Sequence, residues 1–161
     1  MASVRILDDG TVLFEGIAPQ LLHILSRMHE AAESGDSEVE DRLFPSPVSV
    51  TSEDHIAEDW KAFVEPDLQS GFLSAREAVA ADLRGADKTK GGDFVFRIPP
   101  KHLDHWLSAL TQSRLALNAI HHFTEDDMNR STADLDDPRE FALMQSGIYG
   151  SMLEWLISIV E

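Results

Sequence analysis

The chain has 161 residues, of which 29 are acidic and 13 are Lys or Arg, so its formal net charge at pH 7 is −16. A surface of that sign repels phosphate, which argues against nucleic acid and anionic membranes as partners. It would favour a basic protein partner or cations, although strong acidity often does no more than keep a protein in solution. The chain contains no cysteine, which excludes a disulfide framework and thiolate metal sites and fits a cytoplasmic protein. Its length and its hydrophobic fraction of 43% predict one folded domain over residues 1–161.

No stretch of the sequence indicates export or a membrane anchor. The opening residues, MASVRILDDG, have neither a basic leading region nor a long apolar run. No later segment offers the roughly 20 consecutive apolar residues that a membrane-spanning helix needs. We therefore expect a cytoplasmic location and no membrane partner.

A β-hairpin is predicted over residues 1–17. Residues 4–7 and 11–15 are rich in β-branched and apolar side chains, and they flank Asp8-Asp9-Gly10, a typical tight turn. An isolated hairpin is marginally stable in water, so its apolar side is expected to pack against helices. Residues 93–98, DFVFRI, are the candidate third strand.

Two helical regions are predicted in the first half of the chain. Pro19 suits a first helical turn and opens residues 19–34, where apolar residues recur at intervals of three or four. Thr51 and Asp54 form a capping-box pattern at the start of the second region, residues 52–85.

Breaks between and within these regions are marked by proline, glycine and acidic residues. Pro66 removes a backbone donor, so the second helical region is expected to break or kink there. Residues 36–49 mix acids with prolines and are predicted to form a surface loop. Residues 87–92 are predicted to be a flexible link, and residues 124–140, which hold seven acids, a solvated loop with some helical turn.

The most readable helix is predicted over residues 99–123, where paired prolines open a periodic segment. With about 100° between successive residues, one broad arc of this helix is apolar. The members of the arc are Leu103, Trp106, Leu107, Leu110, Leu117 and Ile120. Arg114 and His121 fall inside the same arc.

A further helix is predicted over residues 137–160, and its last turns are apolar around most of their circumference. Such a helix either lies at the centre of a bundle or forms half of an oligomer contact, and we favour the central position. The predicted fold class is therefore mainly α: a single-domain bundle of four or five helices with a small N-terminal β-hairpin. Trp60, Trp106 and Trp155 all fall on helical stripes and are predicted to be core anchors.

Arg114 is the leading candidate site residue because its guanidinium lies among leucines on the predicted inner face. Removing that charge from water is costly unless a carboxylate meets it, and Asp82 and Glu154 are the available partners. We favour a structural ion pair. The open alternative is an anion-binding or catalytic arginine in a cleft between helices.

His102 and His105 are the weak metal candidates, since spacing of i and i+3 places both imidazoles on one side of a helical turn. His121 and His122 with the acids at 125–127 form a second group, although adjacent histidines diverge on a helix. Neither group has the HExxH signature or a defined full ligand set, so we expect no metal and no cofactor.

Catalytic signatures are missing from the sequence. No glutamate has a histidine three residues later, as a di-iron bundle requires. The start of an EF-hand loop at Asp134 has Arg139 where glycine is needed, and no P-loop or nucleophile elbow occurs. No catalytic residue is therefore assigned.

Three segments, EDWKAFVEPDLQSG, IPPKHLDHWLSALTQSRLALNAIHHFTEDD and GSMLEWLISIVE, together resemble the bacterial domain of unknown function 2017 family (DUF2017). The best match is the central segment, with Trp106, Leu110, Arg114, Leu115, Leu117 and the following Thr124-Glu125-Asp126. The resemblance implies a small helical cytoplasmic protein without an assigned activity.

These features favour a non-enzymatic protein-interaction or regulatory module. Its partner is expected to be a protein, with a basic protein or a second copy of the chain as the two candidates. Two alternatives stay open. One is a small-ligand or anion-binding protein or enzyme that uses Arg114 in a cleft between helices, and the other is a metal-binding helical protein.

Overall fold

Six α-helices and a small sheet make up the part of the chain that the computed structural model describes, residues 2–45, 58–128 and 136–160. The strands are β1 (Ser3–Ile6), β2 (Val12–Ile17), β3 (Asp87–Lys88) and β4 (Phe94–Ile98). The helices are α1 (Pro19–Ser26), α2 (Ser37–Leu43), α3 (Glu65–Arg84), α4 (Leu103–His121), α5 (Glu125–Met128) and α6 (Pro138–Val160). The predicted mainly α fold with an N-terminal hairpin is confirmed. None of the described helices combines the length and the apolar character needed to cross a bilayer.

The sheet has the strand order β1-β2-β4-β3, and every neighbouring pair is antiparallel. Strand β4 is the third strand that residues 93–98 predicted. The flexible link predicted over residues 87–92 is wrong in part, because Asp87–Lys88 pairs with β4 and the chain turns back through Gly92, whose φ is 90°. This two-residue strand is exposed and polar, so it has no apolar alternation from which to predict it.

Helix α2 lies inside the predicted surface loop at 36–49, which corrects that prediction. The carboxylate of Asp36 caps the helix by accepting hydrogen bonds from the backbone N–H groups of Glu38 (2.8 Å) and Val39 (3.3 Å). Val39 and Leu43, four residues apart, are buried against α4. The cap and the i,i+4 apolar pair therefore outweigh the acidic composition.

The first helical region ends earlier than residue 34. Helix α1 stops at Ser26, and residues 27–34 continue as successive turns. The Arg27 N–H donates to the carbonyl of Ile24 (3.2 Å), so i→i+3 bonds replace the i→i+4 ladder at this point. The chain thereby leaves the helix axis and forms one wall of a cleft.

The break predicted at Pro66 takes the form of a π-helical turn, Trp60–Val64, that runs directly into α3. Pro66 follows in the first turn of α3, so the wider π-helical turn lies directly before the residue that lacks a backbone N–H. Trp60 is only half-buried, in contrast to the predicted core anchor. The capping pattern at Thr51 and Asp54 lies outside the described residues.

An aromatic stack crosses the core from α6 to α4. Trp155 meets the edge of Phe14, with ring centres 5.8 Å apart. Phe14 stacks on Phe96 at 4.8 Å, and Phe96 stacks on Trp106 at 5.6 Å. Strands β2 and β4 are therefore held between the two long helices, and each ring pair contributes roughly 0.5–1.5 kcal/mol beyond its buried area.

Helix α4 buries a different arc from the one its leucines predict. Trp106, Leu110 and Leu117 are buried as expected, whereas Leu103, Leu107 and Ile120 are half-buried. The remaining buried positions are Ala109, Gln112, Ser113 and Ala116. Small side chains let the neighbouring segments approach closely: the hydroxyl oxygen of Ser113 contacts the carbonyl oxygen of Met28, which lies beyond α1.

Trp106 is fully buried, so its indole N–H needs an acceptor inside the protein. Asp82 of α3 supplies it, with 2.8 Å between Nε1 and the carboxylate oxygen, and the Asp82 side chain is itself only 8% exposed. This hydrogen bond ties α3 to α4 at the end of the aromatic stack. Asp82 therefore holds the core together instead of meeting Arg114.

Replacing Asp82 by Leu is expected to lower the free energy of unfolding by about 1–3 kcal/mol, because a buried indole N–H loses its only described acceptor. Asp82→Asn keeps an acceptor oxygen and should cost less. Urea unfolding at pH 7 measures both. In a Trp106→Phe background, Asp82→Leu should lower the free energy of unfolding by less. A leucine variant as stable as the wild type would show that the hydrogen bond does not contribute to stability.

Candidate functional site

A cleft of about 560 Å³ lies between the turns at 27–34, the C-terminal half of α4 and the N-terminal half of α6. We call it the α4–α6 cleft. Its apolar lining consists of Met28, Ala31, Leu117, Ile120, Pro138, Phe141 and Ala142. Its polar lining consists of Arg27, Glu30, Ser34, His121, Asp136, Gln145 and Tyr149. We call the apolar lining the floor and the more exposed polar residues the rim, whereas Gln145 and Tyr149 are buried. A mostly apolar lining with a few polar groups is the usual composition of a binding site.

Tyr149 fixes the inner wall of the cleft. Its hydroxyl donates to the carbonyl oxygen of Ile24 at 2.5 Å and accepts from the side-chain amide of Gln145 at 3.4 Å. Burial raises the pKa of Tyr149 to about 12, so the hydroxyl keeps its proton at neutral pH. The Tyr149 side chain therefore fixes α6 against α1 and makes the inner wall of the cleft rigid.

The cation of the rim, Arg27, is held by neighbouring side chains. Arg27 donates from Nε to Glu30 at 3.1 Å, and its guanidinium lies over the ring of Phe141, 5.4 Å from the centroid. His121 stacks on Phe123 with ring centres 5.7 Å apart. Burial, followed by the nearby Arg139 charge, lowers the pKa of His121. At neutral pH the rim therefore presents a neutral imidazole.

The chain that forms one wall of the cleft continues into an acidic segment. Glu30, Ala31 and Ser34 line the cleft, and the rest of segment 30–41, which leads into α2, contains Glu33, Asp36, Glu38, Glu40 and Asp41. Some of these carboxylates hold neighbouring elements: Glu33 binds Arg76 at 2.9 Å, and Glu38 binds His122 at 2.9 Å. Segment 30–41 is therefore held in place by these contacts and still carries an excess of negative charge.

Arg139 joins three helical elements next to the cleft residues His121 and Pro138. Its guanidinium binds both carboxylate oxygens of Asp127, at 2.7 and 3.1 Å, and donates to the carbonyl oxygens of His121 (3.1 Å) and His122 (3.2 Å). Asp127 also accepts from the backbone N–H of Thr124 at 2.8 Å. The last carbonyls of α4, the first turn of α5 and the start of α6 therefore share one cation.

The hydrogen bonds from Arg139 and Thr124 hold the pKa of Asp127 well below its ordinary value. Because the folded-state pKa lies below the unfolded-state value of about 3.9, this carboxylate stabilises the fold above pH 4 and loses that contribution as the pH falls further. The stability gap between wild type and Asp127→Asn, measured by urea unfolding from pH 7 to pH 3, should therefore narrow on acidification. Asp126→Asn, at the exposed neighbouring position, is the control. A gap independent of pH would contradict the assignment.

Arg114 does not line the cleft and does not form the predicted ion pair. Its Nε is buried, and none of the described residues accepts a hydrogen bond from it. The guanidinium lies flat against Gly150 of α6: a Cβ built on that glycine would be 3.1 Å from Arg114 Cζ and 3.1 Å from Nε. Glu154, the other predicted partner, is exposed. Arg114 is therefore a packing element at the crossing of α4 and α6.

The contact between Arg114 and Gly150 predicts that alanine has different effects on stability at two glycines of α6. Gly147→Ala should stabilise the protein by roughly 0.5–1 kcal/mol, because nothing lies within 4 Å of the added methyl group and alanine favours the helix. Gly150→Ala should gain less or lose stability, since its methyl group presses on Arg114. In an Arg114→Met background the two substitutions should become similar. Thermal unfolding of the five variants tests this, and equal gains at both glycines in the wild-type background would contradict it.

The predicted metal candidates separate into two groups. His102 lies beside Asp82, with Nδ1 at 2.9 and 3.0 Å from the two carboxylate oxygens, and its ring centre is 6.0 Å from that of His105. His121 and His122 diverge, because His122 adopts a left-handed backbone (φ 51°) that ends α4. Within the described ranges, no three His, Asp or Glu side chains converge on one point.

The α4–α6 cleft itself is not predictable from the helical stripes. It depends on the early end of α1, which moves residues 27–34 off the helix axis, and on the Tyr149 contact with a residue 125 positions earlier in the chain. The sequence signal is indirect: Gln145 and Tyr149 are polar residues spaced i and i+4, and therefore on one face, in a largely apolar helix.

The fold and the cleft define a small, mainly helical protein with a short antiparallel sheet and a polar-rimmed site between helices. The chain belongs to the domain of unknown function family DUF2017, whose model matches residues 4–160. No curated protein and no solved structure shows significant similarity to it.

Proposed function

We propose that the protein is a non-enzymatic interaction module that binds a basic segment of a partner protein in the α4–α6 cleft. The observation that carries the proposal is the apolar lining of a cleft whose wall, which includes Glu30, Ala31 and Ser34, continues along the chain into the acidic segment 30–41. A cytoplasmic partner fits the cysteine-free composition.

The floor suits apolar side chains of a partner. Leu117, Ile120 and Phe141 lie half-buried or buried at its base, and the cleft opens to solvent on one side. Burying apolar side chains there removes their surface from water, at about 25 cal/mol for each Å². A segment with large apolar residues would therefore gain most of its binding energy from this floor.

The negative charge near the floor favours a positively charged partner segment. Five of the six carboxylates in segment 30–41 are exposed, and the whole chain carries a net charge of −16. Lysine or arginine residues flanking the apolar ones would meet this segment and speed association. A second copy of the chain is a poor occupant of the cleft because it brings the same acidic segment.

The polar side chains of the cleft support recognition over catalysis. Tyr149 is engaged with the Ile24 carbonyl, and Arg27 is engaged with Glu30 and Phe141. Groups already committed to holding the walls make a rigid surface, which lowers the entropic cost of binding.

Two labelled peptides test the proposal by fluorescence anisotropy: one with a Leu-Phe centre flanked by lysines, and one with the same centre flanked by glutamates. We expect the basic peptide to bind more tightly and its affinity to fall as salt rises. Ala31→Trp, which fills the cleft, should weaken binding by about tenfold or more, which is about 1.4 kcal/mol. Ala81→Trp on the exposed side of α3 is the matched control.

Equal binding of both peptides, or equal loss in the two tryptophan variants, would contradict the proposal. Circular dichroism of both variants shows whether the fold is retained. Because the readout compares a cleft substitution with a surface substitution of the same type, general attraction of lysine to an acidic protein cannot produce the expected pattern.

A small-ligand protein is the second candidate function, favoured by the cleft volume. About 560 Å³ falls within the roughly 300–1,000 Å³ of small-molecule pockets. The cation of such a site would be Arg27 over Phe141, in place of the sequence candidate Arg114. Native mass spectrometry distinguishes the two functions: a bound small molecule in the wild type that is lost in Ala31→Trp favours this second candidate.

A further inference from the structure

At the start of α4, away from the α4–α6 cleft, His102 is hydrogen-bonded to Asp82 and a second imidazole, His105, lies next to the His102 ring. His102 ends the 3₁₀ turn Pro100–His102, and its Nδ1 lies 2.9 and 3.0 Å from the two oxygens of Asp82. His105 follows one turn later, with its ring centre 6.0 Å from that of His102 and an angle of 62° between the planes.

The surroundings of Asp82 determine which nitrogen of His102 carries the proton. A carboxylate accepts only, so the hydrogen bond requires the proton on Nδ1. Asp82 is itself held by the indole N–H of Trp106 at 2.8 Å and is 8% exposed. The His102 ring is therefore fixed in orientation, and in its neutral form the lone pair is on Nε2, the nitrogen that faces away from Asp82, on a side chain that is 24% exposed.

This is the arrangement in which a carboxylate orients a metal-binding histidine and raises its basicity. Two imidazoles that share one Zn²⁺ at about 2.1 Å place their ring centres about 5 Å apart at the tetrahedral angle. The observed separation is 6.0 Å, so the two rings have to approach each other by about 1 Å to share one ion.

We propose that His102 and His105 bind one divalent transition-metal ion, with Asp82 as the residue that positions His102. Water completes the coordination, since the described residues supply no third converging ligand. Imidazole ligands select Zn²⁺, Ni²⁺ or Cu²⁺ over Mg²⁺ and Ca²⁺, which prefer oxygen. The net charge of −16 also raises the local concentration of cations.

Isothermal titration of the full chain with ZnCl₂, NiCl₂ and MgCl₂ tests the proposal at pH 7.5. We expect one Zn²⁺ or Ni²⁺ per chain and no Mg²⁺ binding. His105→Ala should abolish the site, and Asp82→Asn should weaken it by about 10–100-fold while keeping an acceptor for Trp106. His23→Ala, at an exposed position of α1, is the matched control and should leave binding unchanged.

A second readout does not depend on metal affinity. Long-range ¹⁵N NMR of the metal-free protein should show the His102 ring protonated at Nδ1 and bare at Nε2, and Asp82→Asn should disturb this preference. No heat of binding with Zn²⁺ or Ni²⁺, or binding that survives His105→Ala and disappears in a His121→Ala variant, would overturn the assignment.

Discussion

The hydrogen bond from the buried indole of Trp106 to Asp82 is the interaction on which the rest of the architecture depends. Trp106 is fully buried at one end of the aromatic stack that runs through Phe96 and Phe14 to Trp155. Its N–H has to find an acceptor in a place that water does not reach. Asp82 satisfies it from α3, so one polar contact sets how the third helix meets the fourth.

The two candidate sites lie towards opposite ends of α4. At one end, the same carboxylate that accepts from Trp106 also binds His102, which we propose as a metal ligand. At the other end, the last carbonyls of α4 are held by Arg139, and the neighbouring face forms part of the α4–α6 cleft. The two sites are therefore separated along one helix, and each depends on polar groups that also stabilise the fold.

Periodicity and turn chemistry predicted what depends on local sequence: the hairpin, the fourth strand of the chain, the long helices and the burial of Trp106. They failed where a contact between residues far apart in the sequence determines the structure. Arg114 was expected to meet a carboxylate because it lies among leucines, yet it packs on Gly150, and only the crossing of α4 with α6 shows this. The neighbouring Ser113 is buried because it contacts Met28, 85 positions earlier in the chain. A prediction that places only apolar residues inside therefore assigns the wrong buried arc to α4.

Hydrogen exchange of the three indole N–H groups, followed by NMR, is the most direct test of this account. Assignment of the Trp106 signal through a Trp106→Phe variant would identify the relevant resonance. The account predicts that this proton exchanges only on global unfolding, with an opening free energy equal to that from denaturant titration. Exchange of the Trp106 indole at the rate of a solvent-exposed tryptophan would show that Asp82 does not hold it and that the core is assembled differently.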